Sequence, residues 1–127
     1  VVDYKTGKVL KDDEEIHDGN AEAIAQKIFL PDVKDRPKIA LQFYIYDLLL
    51  KDRPEYKGLD IYNCVYSTAK LFKETPEARL MNQVFFDAVS ENLETMLDEM
   101  YDTEVPFRRT EDASVCEYCD FKMICGR

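Results

Sequence analysis

At 127 residues, with 46% apolar and 12% aromatic content, the chain can bury one hydrophobic core but not two, so it reads as a single domain or a piece of one, and wholesale disorder is excluded. Seventeen basic against 26 acidic residues give a net charge of −9, a poor balance for holding a polyanion. The excess is local, however: residues 59–104 carry 3 basic and 10 acidic residues, whereas residues 31–58 carry 6 and 5, so an acidic helix face can coexist with an anion-binding groove elsewhere.

In chain order, Val1-Val2-Asp3-Tyr4-Lys5 alternates β-formers with polar residues and stops at Thr6-Gly7, which predicts a strand ending in a turn. Lys11 to Asp18, with its Asp12-Asp13-Glu14-Glu15 run, reads as a solvated loop, and His17 within it as unliganded. Asn20 then caps a helix in which Ala21, Ile24, Ala25, Ile28 and Phe29 share one face, ending at Leu30 before Pro31. Pro37 opens a second helix, so densely apolar from Ile39 through Leu50 that burial on most sides is expected.

After turns at Arg53-Pro54 and Lys57-Gly58, residues 59–67 are enriched in β-branched and aromatic types and predict a strand, on which Cys64 serves as small apolar filler. Pro76 precedes a long helix over 77–101, with Val84, Phe85, Ala88, Val89, Leu93, Met96, Leu97 and Met100 as its core stripe. A tail from Thr103 leads to the cysteines. The whole reads as α/β, a short mixed sheet of two or so strands with about three helices. No run approaches the ~18 apolar residues of a membrane span and no leader segment is evident, so a cytoplasmic chain without membrane contact is expected.

Three groups of residues carry chemistry. On a strand, Asp3 and Lys5 project to the same side, roughly 6.5–7 Å apart along the backbone. A carboxylate beside an ammonium suits metal-assisted phosphodiester hydrolysis, with the acid on Mg²⁺ or Mn²⁺ and the amine orienting water or offsetting charge, although such a pair is also an ordinary surface ion pair. Gln42 and Tyr46 lie one helical turn apart on one face and need polar partners if buried. Cys116-x2-Cys119-x5-Cys125 has the spacing of a tetrahedral metal site lacking its fourth ligand, with a disulfide as the other reading.

These ordered motifs, VVDYKTGK, QFYIY, VPFRRTED and CEYCDFKMICGR, resemble the C-terminal half of a RecB-type nuclease domain of the PD-(D/E)XK superfamily, most closely the AddB-like branch that carries an iron-sulfur cluster. The resemblance implies a partial restriction-endonuclease-like core over residues 1–127, with 103–127 a cysteine-containing tail. It implies that Asp3 and Lys5 are catalytic, that Asp3 and the Tyr4 carbonyl hold Mg²⁺ or Mn²⁺, and that Gln42 and Tyr46 organise the site and touch DNA. Cys116, Cys119 and Cys125 would be three of the four ligands of a 4Fe-4S cluster.

The implied activity is DNA exonuclease action in end processing and recombinational repair, partnered by a helicase subunit or domain. The upstream strands, the second metal-binding carboxylate and the fourth cysteine of that family pattern have no counterpart here. The sequence therefore reads as a portion of the domain, inactive or nearly so alone, with an open strand edge that favours self-association. The competing reading is a non-catalytic structural or interaction module whose cysteine tail binds zinc or no metal.

Overall fold

The computed structural model describes residues 1–70, 73 and 75–127. Strand β1 (Val2–Lys5) pairs in parallel with β2 (Tyr62–Ser67), and β2 pairs antiparallel with the two-residue β3 (Arg79–Leu80), giving a mixed sheet of order β1-β2-β3. The helices are α1 (Lys11–Glu14), α2 (Ala21–Phe29), α3 (Lys38–Lys51) and α4 (Gln83–Tyr101). Parallel neighbours need a long crossover. Here α3 lies within the crossover and puts its polar residues against the sheet.

The α/β expectation holds, and four local expectations need correction. The acidic run is not a solvated loop: it winds into α1, and Asp13 is buried. Asp13 Oδ1 accepts from the backbone N–H groups of Ile39 at 2.9 Å and Ala40 at 3.0 Å, while Oδ2 accepts from Leu10 N at 3.2 Å. Pro37 at the N-cap position of α3 has no side chain that can cap; the acid from α1 does that work across 26 positions. A carboxylate there also sits favourably at the positive end of the helix dipole.

The second correction concerns Asn20, which makes no cap bond to α2. Its amide instead closes the preceding turn, accepting from His17 N and donating to the Glu15 carbonyl, each at 2.8 Å. Third, α4 begins at Gln83 and not beside Pro76, because residues 79–80 extend into β3; Asn82 caps the helix by accepting from Phe85 N at 2.9 Å. Fourth, α3 is not buried on most sides. Ile45, Leu48 and Leu49 are 42%, 40% and 61% exposed, so a row of apolar side chains faces outward.

The core is assembled from Ala21, Ile24, Ala25 and Ile28 of α2, Ala40 and Tyr44 of α3, and Phe85 and Val89 of α4. Small alanines let α2 approach its neighbours closely, and the Tyr44 hydroxyl avoids an unmet polar cost by hydrogen bonding with Ser90 Oγ at 2.9 Å. The expected α4 stripe is used in part: Phe85 and Val89 are buried and Ala88 and Leu93 pack against the core, whereas Val84, Leu97 and Met100 are exposed.

Burial is the main influence on the Asp13 carboxyl and pushes its pKa above the ordinary carboxylate value, against the lowering effect of the amides of Ala40, Leu10 and Ile39. Because the folded pKa is raised, ionisation costs stability as pH rises through it. The Asp13→Asn variant lacks that titration, so wild type should gain stability relative to it as pH falls from neutral toward the unfolded carboxylate range. Asp13→Ala should cost about 1–2 kcal/mol through loss of the cap, measured by urea unfolding at neutral pH.

Candidate active site

Two helical pairs at i, i+4 and one lone acid divide α3 among its neighbours. Ala40 and Tyr44 enter the helical core, Asp47 reaches β2 through Asn63, and Gln42 and Tyr46 turn toward β1. In the parallel register Asp3 lies opposite Val65 and Lys5 opposite Ser67. Alternation then places Asp3 and Lys5 on the sheet face that α3 covers, with Val2 and Tyr4 on the other.

The four side chains singled out on β1 and α3 are brought into one run of contacts. Lys5 Nζ lies 2.9 Å from Asp3 Oδ2 and donates to Gln42 Oε1 at 2.7 Å. Gln42 Nε2 in turn donates to the Tyr46 hydroxyl oxygen at 2.5 Å. The lysine and aspartate side chains are 28% and 15% exposed, so the pair is half-buried and not on the open surface. Because the Tyr46 oxygen accepts from Gln42, its own O–H remains able to donate to an incoming anion.

Asp3 Oδ2 is a buried atom without a well-aligned hydrogen bond, despite the ammonium 2.9 Å away. The charge contact is close but poorly directed, so the oxygen keeps lone-pair capacity for a cation. The carbonyls of Val1 and Lys5 accept from Cys64 N and Thr68 N, each at 2.9 Å. Strand alternation therefore leaves the Tyr4 carbonyl on the outer edge of β1. One carboxylate and one carbonyl are hard oxygen donors that suit Mg²⁺, which commonly retains several waters and takes few protein ligands. They make a partial set, since no three His, Cys, Asp or Glu residues among those described converge to hold a metal.

The cysteine triplet is not assembled. Cys116 ends a 3-10 turn (Ala113–Cys116), Cys119 is half-buried, Cys125 is exposed and Cys64 is buried on β2, all as free thiols. In this arrangement they do not fit a cluster. Arginines shape the tail instead: Arg109 donates to the Cys125 carbonyl at 2.8 Å and Arg127 donates to the Thr110 carbonyl.

Sequence reasoning missed the polar pair supporting the site. Asp47, buried on α3 beside Tyr46, accepts twice from Asn63 Nδ2, at 3.0 and 2.9 Å. Burial is the first cause of its raised pKa, opposed by the Asn63 hydrogen bond and by the charges of Lys51 and the N-terminus. An acid within the apolar run Tyr44-Ile45-Tyr46-Asp47-Leu48 was the available signal, since a carboxylate there needs a donor.

A short mixed sheet that offers an acid–lysine pair beneath a helix-borne amide and phenol belongs to the class of nuclease-like α/β domains. Residues 1–126 match the PD-(D/E)XK nuclease superfamily. The chain belongs to that superfamily. Neither a curated protein nor a solved structure matches it.

Gln42→Leu should lower stability by about 1 kcal/mol. Combined with Lys5→Met in a double-mutant cycle followed by urea unfolding, it should show coupling of about 1 kcal/mol; strictly additive costs would mean that the 2.7 Å contact contributes nothing.

Proposed function

We propose that the protein acts in metal-dependent hydrolysis of DNA phosphodiester bonds, as the C-terminal portion of a RecB-like exonuclease domain. What supports this reading is the unbroken run of contacts from Asp3 through Lys5 and Gln42 to Tyr46, on a chain of a nuclease superfamily. Asp3 and the Tyr4 carbonyl are the residues that would hold Mg²⁺ or Mn²⁺. The metal, when bound, would supply Lewis acidity toward a phosphate oxygen and lower the pKa of a water.

The chain's own residues supply the rest. Gln42 fixes the Lys5 ammonium beside Asp3, where its charge offsets that accumulating on the phosphate and orients the attacking water. Tyr46 donates its O–H to a phosphate oxygen and so positions the strand. Asp3 is the one carboxylate of the quartet, so the metal site needs a further acidic ligand from outside the quartet, and without it cleavage stays near background. A helicase partner and a cytoplasmic role in DNA end repair complete the proposal; no described helix is long and apolar enough to cross a membrane.

The iron-sulfur branch is proposed on the Cys116-x2-Cys119-x5-Cys125 spacing alone, and requires the tail to rearrange around a fourth thiolate. A structural module with a zinc-binding or metal-free tail is the second reading; the exposure of Cys125 and the lack of a converged ligand group among the described residues favour its metal-free form. Anaerobic purification followed by metal analysis separates them: iron supports the branch, zinc at one per chain supports the module, and absence of both fits a site that lacks its fourth ligand.

Mn²⁺ should broaden the amide resonances of Asp3 and Tyr4 and leave them sharp in Asp3→Asn. Cleavage of linear DNA by the protein supplied with its missing acidic ligand should fall by at least ~10²-fold in Lys5→Ala. Mn²⁺ broadening that ignores the Asp3 substitution, or cleavage indifferent to Lys5, would overturn the assignment.

A further inference from the structure

Two side-chain contacts among the described residues hydrogen-bond α3 to the sheet. Gln42 accepts from Lys5 on β1, and Asp47, the residue after Tyr46, accepts from Asn63 on β2. The second contact lies deep, with Asp47 1% and Asn63 7% exposed. Asn63 is also tied to the site, because the β2 residues that follow it, Cys64 to Ser67, are the register partners of Val2 to Lys5. The hold of Asp47 on Asn63 therefore bears on where Gln42 and Tyr46 stand over Lys5.

That hold is uneven. Asn63 Nδ2 sits 3.0 Å from one Asp47 oxygen and 2.9 Å from the other, on the midline of the carboxyl group, while Asn63 Oδ1 is buried without a partner. The oxygen is closed to solvent, so its donor has to come from a group already packed against the amide. An ionised carboxylate only accepts, but a protonated one carries an O–H. Carboxyl and primary amide groups can pair edge to edge: a tilt of the Asn63 amide places Oδ1 opposite the carboxyl O–H and Nδ2 opposite the remaining oxygen. Both groups are then satisfied.

Burial is the main influence on the Asp47 carboxyl and favours its neutral form, against the Asn63 hydrogen bond, Lys51 one turn along α3 and the Val1 amino group at the start of β1. Among the described residues those two cations are the charges that act on it. Lys51 is itself held over the Phe86 ring of α4, 4.0 Å from its centroid, and β2 presents the uncharged Asn63.

We propose that Asp47 is a positioning residue whose proton governs the clamp between α3 and β2. With the carboxyl protonated, its O–H donates to Asn63 Oδ1, its other oxygen accepts from Nδ2, and the helix is gripped at two bonds. When the proton passes to solvent, Oδ1 loses its donor and Nδ2 alone holds the carboxylate. The grip on Gln42 and Tyr46 slackens. The use of this clamp, alignment of Lys5 and Tyr46 on one phosphate, rests on the nuclease reading; the clamp itself does not.

The test is an acid titration of the isotope-labelled chain, with NMR following the Asp47 carboxyl carbon and the side-chain amides of Asn63 and Gln42. The carbon should titrate above the ordinary carboxylate range, and both amides should move with the same midpoint. In Asp47→Asn, whose own amide donates to Asn63 Oδ1 at every pH, that movement should be lost. Burial shifts Asp13 in the same direction, so the coupled movement should survive in Asp13→Asn. Its loss in Asp13→Asn, or its persistence in Asp47→Asn, overturns the proposal. So does a wild-type Asp47 carbon that titrates at or below the ordinary range, or a Gln42 amide indifferent to it, whether or not either variant folds. Should the nuclease reading fail, Mn²⁺ would leave Asp3 unaffected while the coupled titration persists; failure of the clamp gives the reverse pattern.

Discussion

One buried carboxylate fixes the start of α3, and through it the rest of the site. Asp13 receives two amides from the first turn of the helix and one from its own turn, so the segment after β1 and the helix that covers β1 cannot shift independently. Gln42 lies just beyond Ala40, the second capped residue, and its reach to Lys5 depends on where that first turn is held. The arrangement spends free energy to do this. Burial works against the Asp13 charge, while the helix dipole and three hydrogen bonds work for it.

α3 is the hub because consecutive i, i+4 pairs meet different neighbours. Ala40 and Tyr44 join α2 and α4, Asp47 joins β2, and Gln42 and Tyr46 serve β1. A helix with so many obligations cannot show a clean amphipathic pattern. Its remaining side, Ile45, Leu48 and Leu49, is apolar and uncovered by any described residue. Polar pairs buried beneath the site are costly when half-satisfied, and the Asp47–Asn63 pair carries that imbalance in its one orphaned oxygen.

What the sequence made legible was local. The alternation around Asp3 and Lys5 and the one-turn spacing of Gln42 and Tyr46 follow from backbone periodicity, and the structure brings those residues together as such periodicity allows. The α2 stripe was equally plain. What stayed hidden depended on distant partners. Asp13 looked like one acid in a solvated run because its donors, Ile39 and Ala40, lie 26 and 27 positions on. β3 escaped because two residues carry too little propensity, although Asn82 with the apolar pair Phe85-Phe86 after it marked the true helix start. The last turns of α4 show the opposite error, an apolar stripe whose Leu97 and Met100 stay exposed.

The pairing of β1 with β2 joins chain segments far apart in order. The amino group of Val1 donates to the Tyr62 carbonyl across 61 positions, and Cys64 N donates to the Val1 carbonyl. Closing so long a loop has an entropic cost that must be met before the new contacts repay it. Helices α2 (Ala21–Phe29) and α4 (Gln83–Tyr101) are comparably far apart in sequence and bear a similar cost when they pack. The acid–lysine strand has four residues and lies at one end of the sheet, paired with β2 alone among the described strands, so hydrogen exchange should find it among the first elements to let go.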